Sequence, residues 1–146
     1  SRAWFLLSKY AAAALVFLVG IAVGALGAYY YTGVLFEWLN PGGYALLNLL
    51  FWLDLMVYLA ITMLASTLAR STVAAGGIAF GLYMVIWIVG IVPQVGAYLP
   101  DALQGWGLRA ALGQAGDPPW GAMGVSLAII AAALAGAALL FERQEI

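Results

Sequence analysis

The 146-residue sequence predicts an all-α fold, a polytopic membrane helix bundle of about four transmembrane helices with a short external interfacial helix before the last. Three observations predict it. Hydrophobic residues make up 66% of the chain and charged residues only 8%, against roughly a quarter charged in soluble domains. A soluble domain of this size buries only about 70% of its unfolded surface, so much of this apolar area would face water. Finally, four segments are apolar for the roughly 20 residues that a helix needs to cross hydrocarbon.

The segments fall near residues 4–31, 44–68, 72–92 and 120–141, and together form a single transmembrane domain over 1–146. Lys9 and Asp54 are the charges inside these limits, and Lys9 lies close enough to a helix end to snorkel toward headgroups. Asn40-Pro41 and Asp117-Pro118 each put a capping side chain before a proline suited to a first helical turn. Segments two and three are joined by Ala69-Arg70-Ser71 alone, which predicts a tight helical hairpin with Ser71 as a cap. The connection over 32–43 is short as well.

The stretch Pro93–Pro119 contrasts with the rest. It holds four prolines, five glycines and a set of polar residues, too interrupted for a fifth span. Asp101–Leu112 within it is expected to form a short amphipathic helix with Leu103, Trp106 and Leu108 toward lipid.

Four crossings place both chain ends on one side. Arg2, Lys9, Arg70 and Arg143 share that side and Arg109 lies opposite, so the positive-inside rule makes the shared side cytoplasmic. The Tyr29–Tyr31 run, Trp38 and Trp120 then fall near the outer interface, where aromatic belts are expected. Glu142, Arg143 and Glu145 read as a solvated helix end.

The composition also excludes chemistry. There is no histidine and no cysteine, which removes the commonest general base and metal ligand as well as thiolate and disulfide sites. No phosphate-binding loop, H-E-x-x-H or G-x-S-x-G occurs. A net charge of −1 offers no basic surface for nucleic acid. The chain therefore reads as neither a catalyst nor a holder of a cofactor or metal, and its main partner is the lipid bilayer.

Two constellations remain. Gly20/Gly24 and Gly77/Gly81 have G-x-x-x-G spacing, and Ala132/Gly136 is a small-residue variant. Such positions let helix backbones approach closely, either within the bundle or at a dimer face. Asp54 lies near the middle of the second span, and Tyr58, Thr62 and Ser66 follow at i+4 spacing as one slowly turning polar stripe. An acid at this depth is costly, by at least ~2.5 kcal/mol on insertion scales. The stripe is therefore expected to face protein or a water-filled path. It reads as a structural polar cluster, the lining of a substrate path, or a proton-coupling site. Asn48 lies off it and is expected to hydrogen-bond between helices. Arg2, Lys9, Arg70 and Arg143 read as cytoplasmic anchors or as partner contacts.

The opening Ser1-Arg2-Ala3-Trp4-Phe5-Leu6-Leu7-Ser8-Lys9-Tyr10 resembles the S-R-x-x-[FIL]-[LI]-x-x-K segment that opens the third of six helices in type-2 ATP-binding-cassette (ABC) permeases. Ala65–Thr72, followed by Ala74, resembles that family's inner turn between helices four and five. Pro93–Pro119 matches in position its short external helices, and Phe141–Ile146 is similar to its F-x-R-[RK]-[DE]-[IL] close. The resemblance covers the whole chain as the last four of six helices, with the first two helices and the coupling helix outside this sequence. The start at Ser1 reads the same way, as a C-terminal part of a longer protein, or else as a trimmed or processed N-terminus.

The resemblance implies an ATP-driven exporter subunit in the cell (inner or plasma) membrane. Its implied partners are a second permease subunit, as homo- or heterodimer, and a cytoplasmic ABC ATPase that carries the ATP and magnesium. A mid-helix acid such as Asp54 is not among that family's hallmarks. A membrane scaffold, or a proton-coupled secondary transporter using Asp54, are the alternatives from the residues alone.

Overall fold

The computed structural model describes residues 2–143, and no strand occurs among them. Six helices follow in order: α1 (Arg2–Leu35), α2 (Pro41–Leu68), α3 (Thr72–Gly90), α4 (Pro93–Gly96), α5 (Asp101–Ala111) and α6 (Trp120–Arg143). Four of them, α1, α2, α3 and α6, are long and apolar enough to cross a membrane. With 34 and 28 residues, α1 and α2 are about 50 and 40 Å long at the α-helical rise. Both exceed the roughly 30 Å of a hydrocarbon core. α1 continues through Tyr29–Tyr31 to Leu35, so its connection to α2 shrinks to residues 36–40.

The helix ends show why the chain breaks where it does. Asn40 caps α2 by accepting a hydrogen bond from the Gly43 N–H at 2.8 Å, with Pro41 in the first turn. Ser71 caps α3 through the Ala74 N–H at 3.2 Å, which closes the hairpin as the sequence predicts. Asp117 departs from expectation. The Pro119 carbonyl accepts the first bond of α6, from the Met123 N–H at 3.0 Å, so Asp117 lies two residues ahead of the cap position. α5 stops at Gly113, whose φ of +72° is left-handed and suits glycine. There the Gln114 N–H reaches the Arg109 carbonyl and the Gly113 N–H that of Ala110, at 2.8 and 3.0 Å, which is the Schellman pattern.

α2 is the axis of the bundle. α5 runs antiparallel along its first half. The Asn40 N–H donates to the Ala111 carbonyl at 3.0 Å, Gly43 faces Ala110 and Gly107 faces Leu47. Leu50, Leu103 and Ala122 then form a core shared by α2, α5 and α6. Leu103 is therefore fully buried instead of facing lipid, while Leu108 on the other side of α5 is exposed. α6 runs parallel to α2, with Ala122 beside Leu50 and Gly136 beside Leu64. These directions bring the α1 start, the α2–α3 hairpin and the α6 end to one end of the bundle. Arg109, near the end of α5, lies toward the opposite one.

α1 is attached differently. It is exposed along most of its length and fastened to α2 by aromatic donors. Tyr10 donates to the Met56 carbonyl, Trp52 to Ala14 and Tyr44 to Ala25, while Tyr29 donates to Leu39 in the connection just ahead of α2, each at 3.0 Å. Each ring packs as apolar surface while its polar tip is satisfied. Beside these contacts α1 and α2 leave an apolar groove lined by residues such as Leu18, Ala22, Ala25 and Tyr44. Tyr30, Tyr31 and Trp38 stay exposed.

The α2–α5 contact gives a direct test. A Cβ at Gly43 would lie 1.9 Å from the Ala110 carbonyl oxygen, whereas one at Gly42 meets only Asn40 Oδ1 at 3.5 Å. Gly43→Ala should destabilise the bundle by about 1–3 kcal/mol, the usual cost of overpacking. Gly42→Ala should be near neutral. Thermal unfolding of the two variants in mild detergent measures the difference, and equal melting would contradict the contact.

Candidate functional site

The polar stripe of α2 divides in two. Asp54 is 2% exposed and Tyr58 is half-buried, but Thr62 and Ser66 are open on the surface. The two hydroxyls are satisfied within their own helix, Thr62 by the Tyr58 carbonyl at 2.8 Å and Ser66 by that of Met63 at 2.7 Å. This is the usual back-bonding of hydroxyl side chains in apolar helices. Asn48 behaves likewise. Its amide donates to the Tyr44 carbonyl at 2.8 Å, inside α2 rather than between helices.

The first half of the stripe enters a cluster built from three helices. Gln104 of α5 donates through Nε2 to Asp54 Oδ2 at 2.5 Å. Asp101, one turn earlier on the same face of α5, accepts from the Tyr83 hydroxyl of α3 through Oδ1 at 3.3 Å. The Tyr83 ring stacks on Tyr58 of α2, with centroids 3.7 Å apart and planes inclined by 30°. Asp54, Tyr58, Tyr83, Asp101 and Gln104 thus tie the middle of α2 to α3 and to the start of α5. Asp101 lies in the first turn of α5, where the helix dipole favours a negative group.

The cluster is incompletely satisfied. Asp54 Oδ1 is buried and has no hydrogen-bond partner. Among the described residues, no lysine or arginine pairs with Asp54 or Asp101. No group of three or more acidic, histidine or cysteine side chains that could hold a metal occurs among them either.

The sequence singled out Asp54 but not its partners. Gln104 and Asp101 sit in the proline- and glycine-rich stretch, and only the antiparallel packing of α5 brings them to mid-α2. Their three-residue separation on one helix was the available signal, and it does not say which helix they meet.

The glycine faces have a different outcome. A Cβ at Gly20, Gly24, Gly77 or Gly81 would meet nothing within 4 Å. None of the four marks a close approach inside this chain, and all four are exposed. Gly136 is the exception among the small-residue spacings, with Leu64 Cδ1 at 3.3 Å.

The positive residues other than Arg109 gather at one end. The Lys9 ammonium lies 4.6 Å from the Phe5 ring centroid and lines a shallow pocket with Ser66, Thr67 and Phe141. Arg70 is exposed in the hairpin turn, and Arg143 is exposed in the last turn of α6, where a cation suits the helix dipole. The Arg2 side chain and residues 144–146, including Glu145, lie outside the described residues.

Removing the Gln104 amide should leave both Asp54 oxygens unpartnered. Gln104→Ala is expected to cost about 1–3 kcal/mol, the penalty for stranding a buried polar group. Tyr83→Phe keeps the ring stack and should cost less, about 1 kcal/mol. Chemical unfolding in detergent ranks the two, and the reverse order would contradict Asp54–Gln104 as the main tie.

Comparison with known proteins bears on the same helices. No curated protein and no solved structure matches the chain. The family described as ABC-2 family transporter protein matches residues 1–108, which spans α1 to α4 and most of α5. That family is the membrane component of ABC transporters, not their catalytic part. With about three quarters of its length matched and four membrane-length helices, the chain belongs to the ABC-2 transporter family, as a permease subunit that associates with an ABC ATPase.

Proposed function

We propose that this permease subunit works in an exporter, moving its substrate outward by alternating access driven by ATP and magnesium bound in a separate cytoplasmic ATPase. Family membership is the observation that carries the reading. Alternating access needs a bundle with two packings of similar free energy, biased by the partner's nucleotide state. The α2–α3–α5 cluster suits such a bundle, because few polar contacts join its helices across an otherwise apolar interior.

The sides follow from charge. Lys9, Arg70 and Arg143 share one end of the bundle, and the positive-inside rule places such an end in the cytoplasm of a cell membrane. Arg2, at the start of α1, belongs to the same end. Exposed side chains there are available to the ATPase, which would dock from this side.

A second permease subunit would complete the pore. The open faces around Gly20/Gly24 on α1 and Gly77/Gly81 on α3 support this, since small residues that touch nothing in their own chain leave room for another helix.

Three measurements test the reading. Purified in mild detergent, the intact protein should carry a soluble ATPase whose turnover rises with substrate. Recovery without any such subunit would favour a scaffold. Gly24→Leu should weaken dimerisation at least several-fold without altering the monomer's melting, because the added side chain enters empty space. An unchanged oligomer by crosslinking would remove that face from the interface. A cysteine introduced by Arg70→Cys should resist impermeant thiol reagents added outside intact cells, and labelling from outside would reverse the assigned sides.

A further inference from the structure

Asp54 has no structural partner for half of its carboxyl group. Oδ2 is held by Gln104, but Oδ1 accepts nothing. The side chain lies midway along α2, about 20 Å from either end at the helical rise, in a helix of membrane-spanning length. An ionised carboxylate with one oxygen stranded there would be uncompensated, and buried charges persist only when paired.

The groups around it do not supply a counter-charge. α2 contributes Tyr58 and α3 contributes Tyr83. α5 contributes Asp101, which is a second acid, and Gln104, which is neutral. Arg109 is exposed, more than a turn beyond Gln104 on α5. α6 brings Ala122 and Met123 to the adjoining core and no titratable group. α1 packs on the other contacts of α2, where Tyr10 is engaged by the Met56 carbonyl.

A metal ion would need room. Oδ1 is closed off by the packed helices, so neither a metal nor its oxygen shell fits beside it. A proton needs no such volume.

We propose that Asp54 is a proton-binding site, its carboxyl held as the neutral acid while α5 lies against α2, with the proton passing to water when that seam opens. In the packed state the proton sits on Oδ1 and the Oδ2 carbonyl accepts from Gln104. In the opened state water reaches both oxygens, the O–H bond breaks, and the proton leaves as hydronium with its electron pair remaining on the carboxylate. The packed state binds the proton more tightly than the opened one, where the carboxyl is solvated, so linkage fixes the sign. Acid holds α5 on α2, and rising pH favours their separation. The site does not depend on the direction of transport or on the ATPase partner.

The test uses the intact transporter in lipid vesicles. At neutral pH its infrared spectrum should contain a protonated-carboxyl band that disappears in Asp54→Asn and persists in Asp101→Asn. Absence of the band overturns the site, as does a band that survives Asp54→Asn. The seam is followed by Leu103→Cys, whose labelling by a water-soluble thiol reagent should climb several-fold more steeply with pH than it does when combined with Asp54→Asn. Equal pH profiles would overturn the link between the proton and the movement of α5.

Discussion

How closely α5 can lie against α2 governs the rest of the bundle. The two backbones meet where Gly43 faces Ala110 and Gly107 faces Leu47, distances that leave no space for a side chain. This approach fixes the register of an eleven-residue helix that is too short to span lipid alone. With the register set, Leu103 fills the space between Leu50 and Ala122, and Gln104 arrives at Asp54. Shifting α5 by one residue would turn Leu103 away from the core by about 100° and take Gln104 out of reach. The polar cluster is therefore a product of backbone proximity and not of polar attraction.

The same approach explains how an acid is tolerated at mid-helix. In lipid every polar group must find an internal partner. The long helices satisfy their own backbones, and most of their polar side chains bond to carbonyls of the same helix, as Thr62, Ser66, Asn48 and Ser126 do. An ionised Asp54 could not do this, since a carboxylate offers acceptors where the helix offers only acceptors. It needs a donor from elsewhere. α5 supplies one amide and the stacked Tyr58–Tyr83 pair screens the flank. In the same way, α5 anchors itself to α3 through Asp101 and Tyr83.

Much of this was legible in the sequence because it depends on local quantities. Apolar length marks the four long helices, and a three-residue connection dictates the hairpin at Arg70. Asn40 and Ser71 cap because their side chains reach N–H groups two or three residues on. What failed to read out was tertiary. G-x-x-x-G spacing drew attention to Gly20, Gly24, Gly77 and Gly81, which are open in this chain. The close approach instead uses Gly43 and Gly107, one on each of two helices, and no spacing within a single segment reveals such a pair. Asp117 resembled a cap, but two prolines after it delay the helix until Trp120. Leu103 and Leu108 differ by five residues, so they point in different directions on a helix, and amphipathicity alone did not say that Leu103 faces protein.

The aromatic fastening of α1 has its own mechanical meaning. Three ring tips hold it to α2 at separated points and a fourth, from Tyr29, to the connection at Leu39, with little interdigitated aliphatic surface between them. Tilting such a helix forfeits few dispersion contacts, because there are few to lose. A hinge leaf pinned by rivets can gape between them while the rivets stay closed.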